Sequence, residues 1–382
     1  MKNYKQLLEE NKAWAEGVFK KIDAKMSEVT IRSRNKVPDG VDKDGFHVEM
    51  PLYWWTNGFW GGLNWLLYDK TKNENYKLTA QANEKKMDGA FKDFHQLHHD
   101  VGFMWHILSG ASYRLTGDES SKLRNLYCAS ILSSRFVLDG GFIVAWNAKS
   151  QQNWTIVDCL MNLAQLYWAS EVLGDDRFKR IAMAHADMTL MDHLRPDGSI
   201  AHIVEHDRET GEVVKTYGGQ GFAEGSSWAR GQAWGVYGFV ISYLYTKEER
   251  YLDAAKRVAN YFIANCCDDW LPRVDFRAPS EPVYYDSTSG AAAACGMIEL
   301  AKLLPENEGG VYMHAAIKLL KALEENFCDF DPANDHMLGY GTVRYPVDST
   351  PEEAGVHISI IYGDFFYTEA ILKLLGSEFN PW

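Results

Sequence analysis

Apolar side chains recur along most of the chain at intervals of three and four residues, the spacing that places them on one face of a helix. The alternation of apolar and polar residues that marks a half-buried strand is almost absent. The pattern predicts an all-α fold of about twelve helices. Their ranges are 4–28, 57–71, 75–96, 101–116, 119–137, 154–173, 176–192, 226–246, 248–267, 286–304, 309–328 and 357–376.

The predicted helices are joined in pairs by short polar turns. In each turn a Gly or Lys ends the first helix and an Asp, Glu or Asn begins the second, as in LTGDESS around Gly117 and VLGDDRF around Gly174. Gly is favoured just after a helix, and Asp and Asn are favoured just before one. The unit is therefore a helical hairpin that repeats at irregular spacing.

Six such hairpins predict a closed double ring of helices, an (α/α)6 barrel, with an open solenoid as the competing arrangement. In a barrel the short turns share one face and the long segments share the other, where binding residues collect. No linker or low-complexity stretch interrupts the pattern, so residues 1–382 are predicted to form a single catalytic domain. The long segments, rich in Gly, Pro, Trp, Tyr and His, are 29–56, 138–153, 193–225, 268–285 and 329–356.

Charge and aromatic content narrow the class of ligand. The net charge of -13 argues against nucleic acid and anionic membranes as partners, because both need basic surfaces. A few local Arg and His side chains can still hold one small anion. Aromatic residues make up 13% of the chain. They serve either a large core or a sugar site where rings stack on pyranose faces, and their clustering near Gly-rich turns favours the sugar site.

The cysteines and the N-terminal segment bear on location. The six cysteines show no C-x-x-C spacing and are interpreted as buried free thiols of a reducing compartment. The first residues are polar and charged, and no apolar run of 18 residues occurs. We therefore expect a cytoplasmic protein without a membrane partner, either a monomer or a weak homo-oligomer.

Asp158 is the first candidate catalytic residue. It lies in an apolar helical run, between Ile156 and Val157 on one side and Cys159 and Leu160 on the other. Desolvation there raises the pKa of a carboxyl, which suits a general acid near neutral pH. The structural alternative is a buried Asp satisfied by nearby hydroxyl or Trp N–H groups.

Asp100 is the second candidate, in the segment HQLHHDVGF. Its position before a helix equally fits an N-cap, but the adjacent His98 and His99 favour a functional role. A paired acid can orient a sugar and raise the pKa of its partner. The same segment offers possible metal ligands, but no H-E-x-x-H pattern or second cluster completes a site. We therefore expect neither metal nor cofactor.

A third group of candidates surrounds the segment SSWARGQAWGVYGF. Arg230 and Trp234 are four residues apart and share one helix face, so they suit the carboxylate and the ring of an anionic sugar. A surface cation–π pair is the alternative. Upstream, Gln220 lies between glycines and His202 lies in a predicted turn. Motifs for nucleotide, dinucleotide and serine-hydrolase sites are absent.

Taken together, these segments resemble the unsaturated glucuronyl hydrolases over nearly the whole chain. The segment WARGQAW is more typical of this family than of the unsaturated rhamnogalacturonyl hydrolases, which look more like W-x-R-G-N-G-W. The matching segments are WWTNGFWGGLNWLLY (54–68), HHDVGF (98–103), the Trp146 region, IVDCLMNLAQLYWA (156–169), the Gln220 loop, SSWARGQAWGVYGF (226–239), YYDSTSGAAAACG (284–296) and IIYGDFFYTEAILKL (360–374).

The resemblance implies an (α/α)6 barrel that removes 4,5-unsaturated glucuronic acid from the non-reducing end of glycosaminoglycan fragments such as chondroitin and hyaluronan disaccharides. By this resemblance Asp158 protonates carbon 4 of the double bond and then activates the water that adds at carbon 5. Asp100 matches the second essential carboxylate. The matched substrate-binding positions are His99, His202, Gln220, Arg230, Trp234, Trp55 and Trp146.

Three alternatives remain at this stage. The nearest is the rhamnogalacturonyl branch, which acts on pectin fragments. A sugar epimerase on the same barrel would use His99 and His202 for proton transfer and leave Asp158 without a role. A non-catalytic sugar-binding barrel would need no desolvated acid. The segment 339–359 varies within the family, and its candidates for contact with the second sugar or its sulfate are Arg344, His357 and Ser359.

Overall fold

Helices dominate the computed structural model, which describes residues 2–382; Met1, the first residue of the predicted domain, lies outside the described residues. The helices are α1 (Tyr4–Arg32), α2 (Gly58–Thr71), α3 (Glu74–Met87), α4 (Val101–Trp105), α5 (Ala111–Thr116), α6 (Glu119–Ser133), α7 (Cys159–Leu173), α8 (Arg177–Met188), α9 (Ala229–Thr246), α10 (Glu249–Asn265), α11 (Ser287–Leu303), α12 (Glu306–Phe327) and α13 (Ile361–Leu374). A π turn, His106–Gly110, joins α4 to α5, so these two form one interrupted helix.

The helices form two concentric rings. In the inner ring α2, the α4–α5 helix, α7, α9, α11 and α13 each pack against the next, and α13 packs against α2 to close the circle. The outer helices α3, α6, α8, α10 and α12 each follow an inner helix along the chain, and α1 packs against both α12 and α13. The predicted (α/α)6 barrel is confirmed, and the open solenoid is excluded.

The sequence explains which helices lie inside. Inner helices are apolar on all sides: α7 is buried continuously from Cys159 to Ser170, and α9 from Ala229 to Ser242. Outer helices such as α8 and α10 carry one apolar stripe and a charged face, which suits a surface position. Among the described residues, no helix combines the length and the apolarity needed to cross a membrane.

The short turns between paired helices follow the predicted pattern. The residues that end α2, α5, α7 and α9 all have left-handed backbone conformations, at Lys72, Gly117, Gly174 and Lys247. Asp118 then caps α6 with its side chain. These tight turns share one face of the barrel, and the long segments therefore lie on the opposite face.

Seven short strands were not predicted: β1 (Pro38–Val41), β2 (His47–Glu49), β3 (Phe136–Val137), β4 (Phe142–Ile143), β5 (Trp154–Ile156), β6 (Ile203–His206) and β7 (Val213–Tyr217). The helix predicted from residue 154 is wrong at its start, because Trp154–Ile156 pairs antiparallel with β6 instead. Strands of five residues or fewer are too short to show alternation in sequence. The sheet matters because β5 ends two residues before Asp158.

Candidate active site

A cavity of about 240 Å³ opens on the long-segment face, where the inner helices begin. Seven of the nine predicted site residues line it, and His202 and Trp234 do not. The lining consists of Asp39, Trp54, Trp55, Thr56, His98, His99, Asp100, Trp146, Ile156, Asp158, Gln220, Arg230, Val343, Ile360 and Tyr362. These residues lie far apart in sequence, so only the closed barrel brings them together.

Asp158 lies in the N-cap position of α7, but its side chain does not cap the helix. The residue is 8% exposed, and its side chain lines the cavity instead. Its Oδ2 atom is buried and finds no hydrogen-bond partner within residues 2–382. Buried carboxylate oxygens normally have partners, so this one is available for a ligand.

Asp100 has the same relation to α4: it holds the N-cap position without a capping bond from its side chain. The Asn162 amide nitrogen lies 3.3 Å from Asp100 Oδ1 and 3.2 Å from the Asp158 carbonyl oxygen, and so ties the two segments together. Burial raises the pKa of Asp100 well above its usual range, and the nearby charge of Asp158 raises it further. The predicted like-charge effect therefore acts on Asp100.

His99 places a proton acceptor, its Nε2 atom, next to one oxygen of the Asp100 carboxyl. Its Nδ1 lies 2.7 Å from the Ala145 carbonyl oxygen and must donate to it. Burial lowers the pKa of His99 well below its usual range, so the ring is neutral and its Nε2 carries a lone pair. That Nε2 lies 3.2 Å from Asp100 Oδ1. A protonated Asp100 therefore donates to His99, in agreement with its raised pKa.

His202 lies behind Asp158 rather than in the cavity wall. Its Nδ1 accepts the backbone N–H of Gln220 at 3.0 Å, which leaves the proton of a neutral ring on Nε2. Nε2 is buried without a hydrogen-bond partner and lies 3.6 Å from Asp158 Oδ2. The Gln220 loop passes so close that a Cβ on Gly219, at φ +60°, would overlap the His202 ring. A side chain there would displace the imidazole from Asp158.

Arg230 lines the cavity and is held rigidly from behind. Its Nη1 lies 2.5 Å from Asp286 Oδ2 and 2.6 Å from the Thr342 carbonyl oxygen, and its Nη2 donates to the Val343 carbonyl at 2.8 Å. Burial is the largest single effect and opposes the charged form, but the nearby acidic groups, Asp286 first among them, together outweigh it and raise the pKa of Arg230. The guanidinium also lies 4.5 Å from the ring of Trp228.

The predicted aromatic residues divide into two groups. Trp55 and Trp146 line the cavity, where Trp146 meets the ring of His99 at 5.6 Å. Trp234 is completely buried one turn deeper in α9, packed against Phe103 and Phe366 at 5.4 Å each. Its expected contact with the sugar ring does not fit this position, because the residue lies in the core beneath the site.

Sequence reasoning missed several residues of the site. Asp286, the N-cap of α11, orients Arg230, and the signal for it was the Asp before the helix in the segment YYDSTSG. Asp39, in strand β1, accepts hydrogen bonds from Trp54 and Thr56, and burial raises its pKa. In the segment 339–359 it is Val343 that lines the cavity, whereas Arg344, His357 and Ser359 do not.

One cluster has the spacing of a metal site. His98, His99 and Asp100 each offer a ligand atom within 4.8 Å of the others. However, the Nε2 of His99 and the Oδ1 of Asp100 already face each other at hydrogen-bond distance. Burial also lowers the pKa of His98 to about 4, so both rings are neutral. The absence of a metal requirement stays a prediction.

Comparisons with known proteins agree on one family, although no protein-family model matches the chain. The unsaturated glucuronyl hydrolase of Bacillus sp. (strain GL1) is 34% identical over 336 residues, which cover 86% of this chain and 88% of the relative. The unsaturated chondroitin disaccharide hydrolase of Streptococcus pyogenes serotype M1 is 32% identical over 377 residues, 96% and 93% of the two chains.

Solved structures give the same result. The crystal structure of the unsaturated glucuronyl hydrolase from Streptococcus agalactiae matches with a TM-score of 0.88 and 29% identity, over 96% of this chain and 93% of that one. The Bacillus sp. GL1 enzyme at 1.8 Å resolution matches with a TM-score of 0.85 and 32% identity, over 92% and 96%. From identity and coverage together, the chain belongs to the unsaturated glucuronyl hydrolase family, whose members are glycoside hydrolases.

Proposed function

We propose that this chain removes a 4,5-unsaturated glucuronic acid from the non-reducing end of short glycosaminoglycan fragments. The observation that carries the proposal is the pair of buried aspartates, Asp100 and Asp158, that face one small cavity beside a buried arginine. Family membership supports the same activity. Solved relatives include a complex with dGlcA-GalNAc6S and an enzyme described as specific for heparin.

The proposed reaction is hydration of the vinyl ether double bond of the terminal sugar. Asp158 donates a proton to carbon 4, and the resulting cation at carbon 5 is stabilised by the ring oxygen. The carboxylate of Asp158 then accepts a proton from the water that adds at carbon 5. The product is a hemiketal, which opens by breaking the bond between carbon 5 and the ring oxygen and leaves a ketone at carbon 5. Carbon 1 is then a hemiacetal, which collapses to an aldehyde as its bond to the next sugar breaks, and that sugar leaves with a hydroxyl group. Ordinary glycosidases instead use two carboxylates at the anomeric carbon.

Two features support this role for Asp158. Its Oδ2 atom has no hydrogen-bond partner among residues 2–382, so no competing bond must break before proton transfer. His202 Nε2 lies 3.6 Å from the same atom, and its N–H would stabilise the carboxylate after the proton has left. His202 is therefore proposed as a positioning residue.

Asp100 is proposed to be protonated and to bind the substrate in that form. A neutral Asp100 adds no negative charge to a cavity that must accept an anionic sugar. Its second oxygen, which does not face His99, is then available to a sugar hydroxyl. Asn162 keeps Asp100 in register with Asp158.

The cavity also fits a terminal anionic sugar. The inner helices begin around it, and helix N-termini favour negative charge. Arg230 contributes a fixed guanidinium, although Asp286 balances its charge. Trp55 and Trp146 supply aromatic walls for a pyranose ring. A volume of about 240 Å³ suits one sugar ring and not an internal segment of a polymer.

A panel of substrates tests the proposal. The purified protein would be mixed with unsaturated disaccharides of chondroitin, hyaluronan and rhamnogalacturonan, and ultraviolet absorbance of the conjugated double bond would be followed. We expect loss of absorbance with the first two. Loss with the rhamnogalacturonan disaccharide alone would move the chain to the pectin branch, and no loss with any would refute the proposed reaction.

We also propose that the protein acts in the cytoplasm as a single catalytic domain, either a monomer or a weak homo-oligomer. All six cysteines are free, and Cys128, Cys159 and Cys295 are buried, which suits a reducing compartment. Burial raises the pKa of the Cys159 thiol, so it is unreactive. Cell fractionation and analytical ultracentrifugation check these points, and a predominantly extracellular protein would contradict them.

A further inference from the structure

A second cavity, of about 390 Å³, lies next to the active-site cavity. The indole of Trp146 lines both, so it forms the wall between them. The second cavity is outside the catalytic machinery described above. Its lining consists of Phe94, Ser134, Arg135, Phe136, Val137, Val144, Trp146, Asn147, Gln152 and Arg208.

The second cavity is positively charged, because two of its arginines have no acidic partner among the described residues. Arg208 is exposed, and its only side-chain bond among the described residues is to the Gln152 amide oxygen at 3.1 Å. Arg135 donates to the Val144 carbonyl at 2.8 Å and to Asn147 Oδ1 at 2.7 Å. Neither lies within 4.0 Å of a carboxylate of the residues 2–382.

Burial lowers the pKa of Arg135 to about 10, so it stays charged at neutral pH. The cavity therefore offers two uncompensated positive charges in a protein whose net charge is -13. Guanidinium groups with free N–H donors are suited to sulfate and carboxylate, because each can give two parallel hydrogen bonds.

A row of aromatic rings leads outward from the active-site cavity on this side. Trp146 lies 5.6 Å from His99 and 6.4 Å from Trp154, and Trp154 stacks on Tyr217 at 4.4 Å. Flat rings are suited to stacking on sugar rings. Trp146, which lines both cavities, thus connects the site of cleavage with the second cavity.

We propose that the cavity formed around Arg135 and Arg208 is a subsite for a sulfate or carboxylate carried by the part of the oligosaccharide beyond the cleaved bond. The proposal rests on the proposed function, because it assumes that an anionic oligosaccharide occupies the first cavity. It assigns to the chain a preference for fragments that bear a further anion.

The two cavities are also coupled electrically. Burial is the largest effect that lowers the pKa of His98 and His99, and the charge of Arg135 lowers both further. The same charge opposes the raised pKa of Asp100. An anion bound at Arg135 would offset this charge and favour the protonated form of Asp100 that the proposed mechanism uses.

The test compares the wild type with Arg208→Gln on three unsaturated substrates. The unsulfated chondroitin disaccharide has no anion beyond the cleaved bond, the sulfated disaccharide has one on the second sugar, and the hyaluronan tetrasaccharide has a carboxylate on the third. We expect kcat/KM to fall about tenfold for at least one of the two anionic substrates, the effect of one charge-assisted hydrogen bond. The substrate affected identifies the anion.

For the unsulfated disaccharide kcat/KM should stay within twofold. Arg177→Gln is the matched control, because Arg177 is 72% exposed, is paired with Asp175 and lies at a short turn on the opposite face. An equal fall for all three substrates, or no change for any, would overturn the proposal.

Binding separates this proposal from the proposed function. Calorimetric titration of Asp158→Asn and of Asp158→Asn/Arg208→Gln with the same saccharides measures the subsite without turnover. If the wild type turns over none of them, the proposed function fails, whereas the difference in affinity between the two variants still decides the subsite. A weaker affinity of the double variant for the anionic saccharides alone supports it. Equal affinities, or no binding by either, would refute it.

Discussion

Two clusters of buried charge lie along the barrel, and they are built on opposite principles. The cavity cluster comprises Asp100, Asp158, His99 and His202. The base cluster comprises Glu299, Glu369, Lys373, Tyr237 and Trp382. Glu369 follows Tyr362, which lines the cavity, by seven residues of α13, about 10 Å deeper into the barrel.

The base cluster is satisfied internally. Lys373 Nζ lies 2.9 Å from Glu299 and 3.4 Å from Glu369. Tyr237 and Trp382 donate hydrogen bonds to Glu369 as well. Burial alone would raise the pKa of Glu299, but the two nearby lysines, above all Lys373, outweigh it and lower it to about 2.

The cavity cluster lacks such compensation. Among the described residues, histidine is the only basic side chain within 4.0 Å of either aspartate. Asp158 Oδ2 and His202 Nε2 have no hydrogen-bond partner. No cation outweighs burial there, so the pKa of Asp100 is raised, whereas that of Glu299 is lowered. The difference indicates that the base cluster stabilises the fold. The fold in turn keeps the cavity cluster in an unsatisfied state that is available to a ligand.

The largest expected effect is on turnover. Asp158→Asn removes the proton donor while keeping the shape of the side chain, so we expect kcat to fall about a thousandfold or more with substrate affinity within a few fold. Stopped absorbance assays and calorimetric titration measure the two quantities. Asp175→Asn, on an exposed turn, is the matched control. Normal turnover by Asp158→Asn would end the proposed role of this residue.

The base cluster should respond in stability and not in chemistry. Lys373→Met leaves Glu299 and Glu369 buried without their cation, and we expect a loss of about 3 kcal/mol in the free energy of unfolding. Because the folded-state pKa of Glu299 is depressed, its contribution is present above pH 4.5 and is lost as the pH falls towards about 2.

Chemical denaturation at several pH values measures this loss, and it should shrink as the pH falls through that window. At a temperature where Lys373→Met is folded, kcat should match the wild type. A large fall in kcat with unchanged stability would mean that the base cluster takes part in catalysis and would remove the distinction between the clusters.

An intermediate effect is expected at Arg230, which shares features of both clusters. Arg230→Lys keeps the charge opposite Asp286 but loses the planar fork, so KM should rise about tenfold with a smaller change in kcat. Steady-state kinetics on an unsaturated disaccharide measures both parameters. An unchanged KM would remove the guanidinium from substrate recognition and leave Arg230 as a structural partner of Asp286.

The smallest expected effect is on the free energy of unfolding, and it is an increase instead of a loss. Asp100→Asn removes a carboxyl whose ionisation is disfavoured in the fold, and an amide can still donate to His99. We expect unfolding to become harder by about 1 kcal/mol at pH 7, while activity falls. Wild-type Asp100 stabilises the fold below its unfolded pKa of 3.8 and loses this effect as the pH rises through its raised folded value.

The advantage of Asp100→Asn should therefore disappear in acid. Thermal unfolding of the variant and the wild type at pH 7 and below pH 3.8 tests the sign. A variant that is less stable than the wild type at pH 7 would contradict the assignment of a protonated Asp100.

Much of the fold could be predicted because its signals are local. Helical periodicity and the Gly117 and Gly174 turns depend on neighbouring residues, and the structure confirms them. Strand β5 could not be found, since its partner β6 lies almost 50 residues away. Asp158 could be recognised from the sequence because a carboxyl in an apolar run is unusual.

The partners of the site residues were not predictable in the same way. Asp286 faces Arg230 across 56 residues, and nothing in either local segment points to the other. Trp234 shares a helix face with Arg230, as predicted, but helical spacing does not reveal how deep each residue lies. Depth is decided by Phe103 and Phe366, which come from other helices.

The central claim is that the double bond, and not the anomeric carbon, is the point of attack. The most direct measurement follows ultraviolet absorbance of an unsaturated chondroitin disaccharide and, in the same reaction, release of the free hexosamine. We expect the loss of absorbance to keep pace with or precede the release of hexosamine, because hydration comes before loss of the bond. Hexosamine released while the absorbance is still intact would show ordinary glycosidic cleavage and refute attack at the double bond.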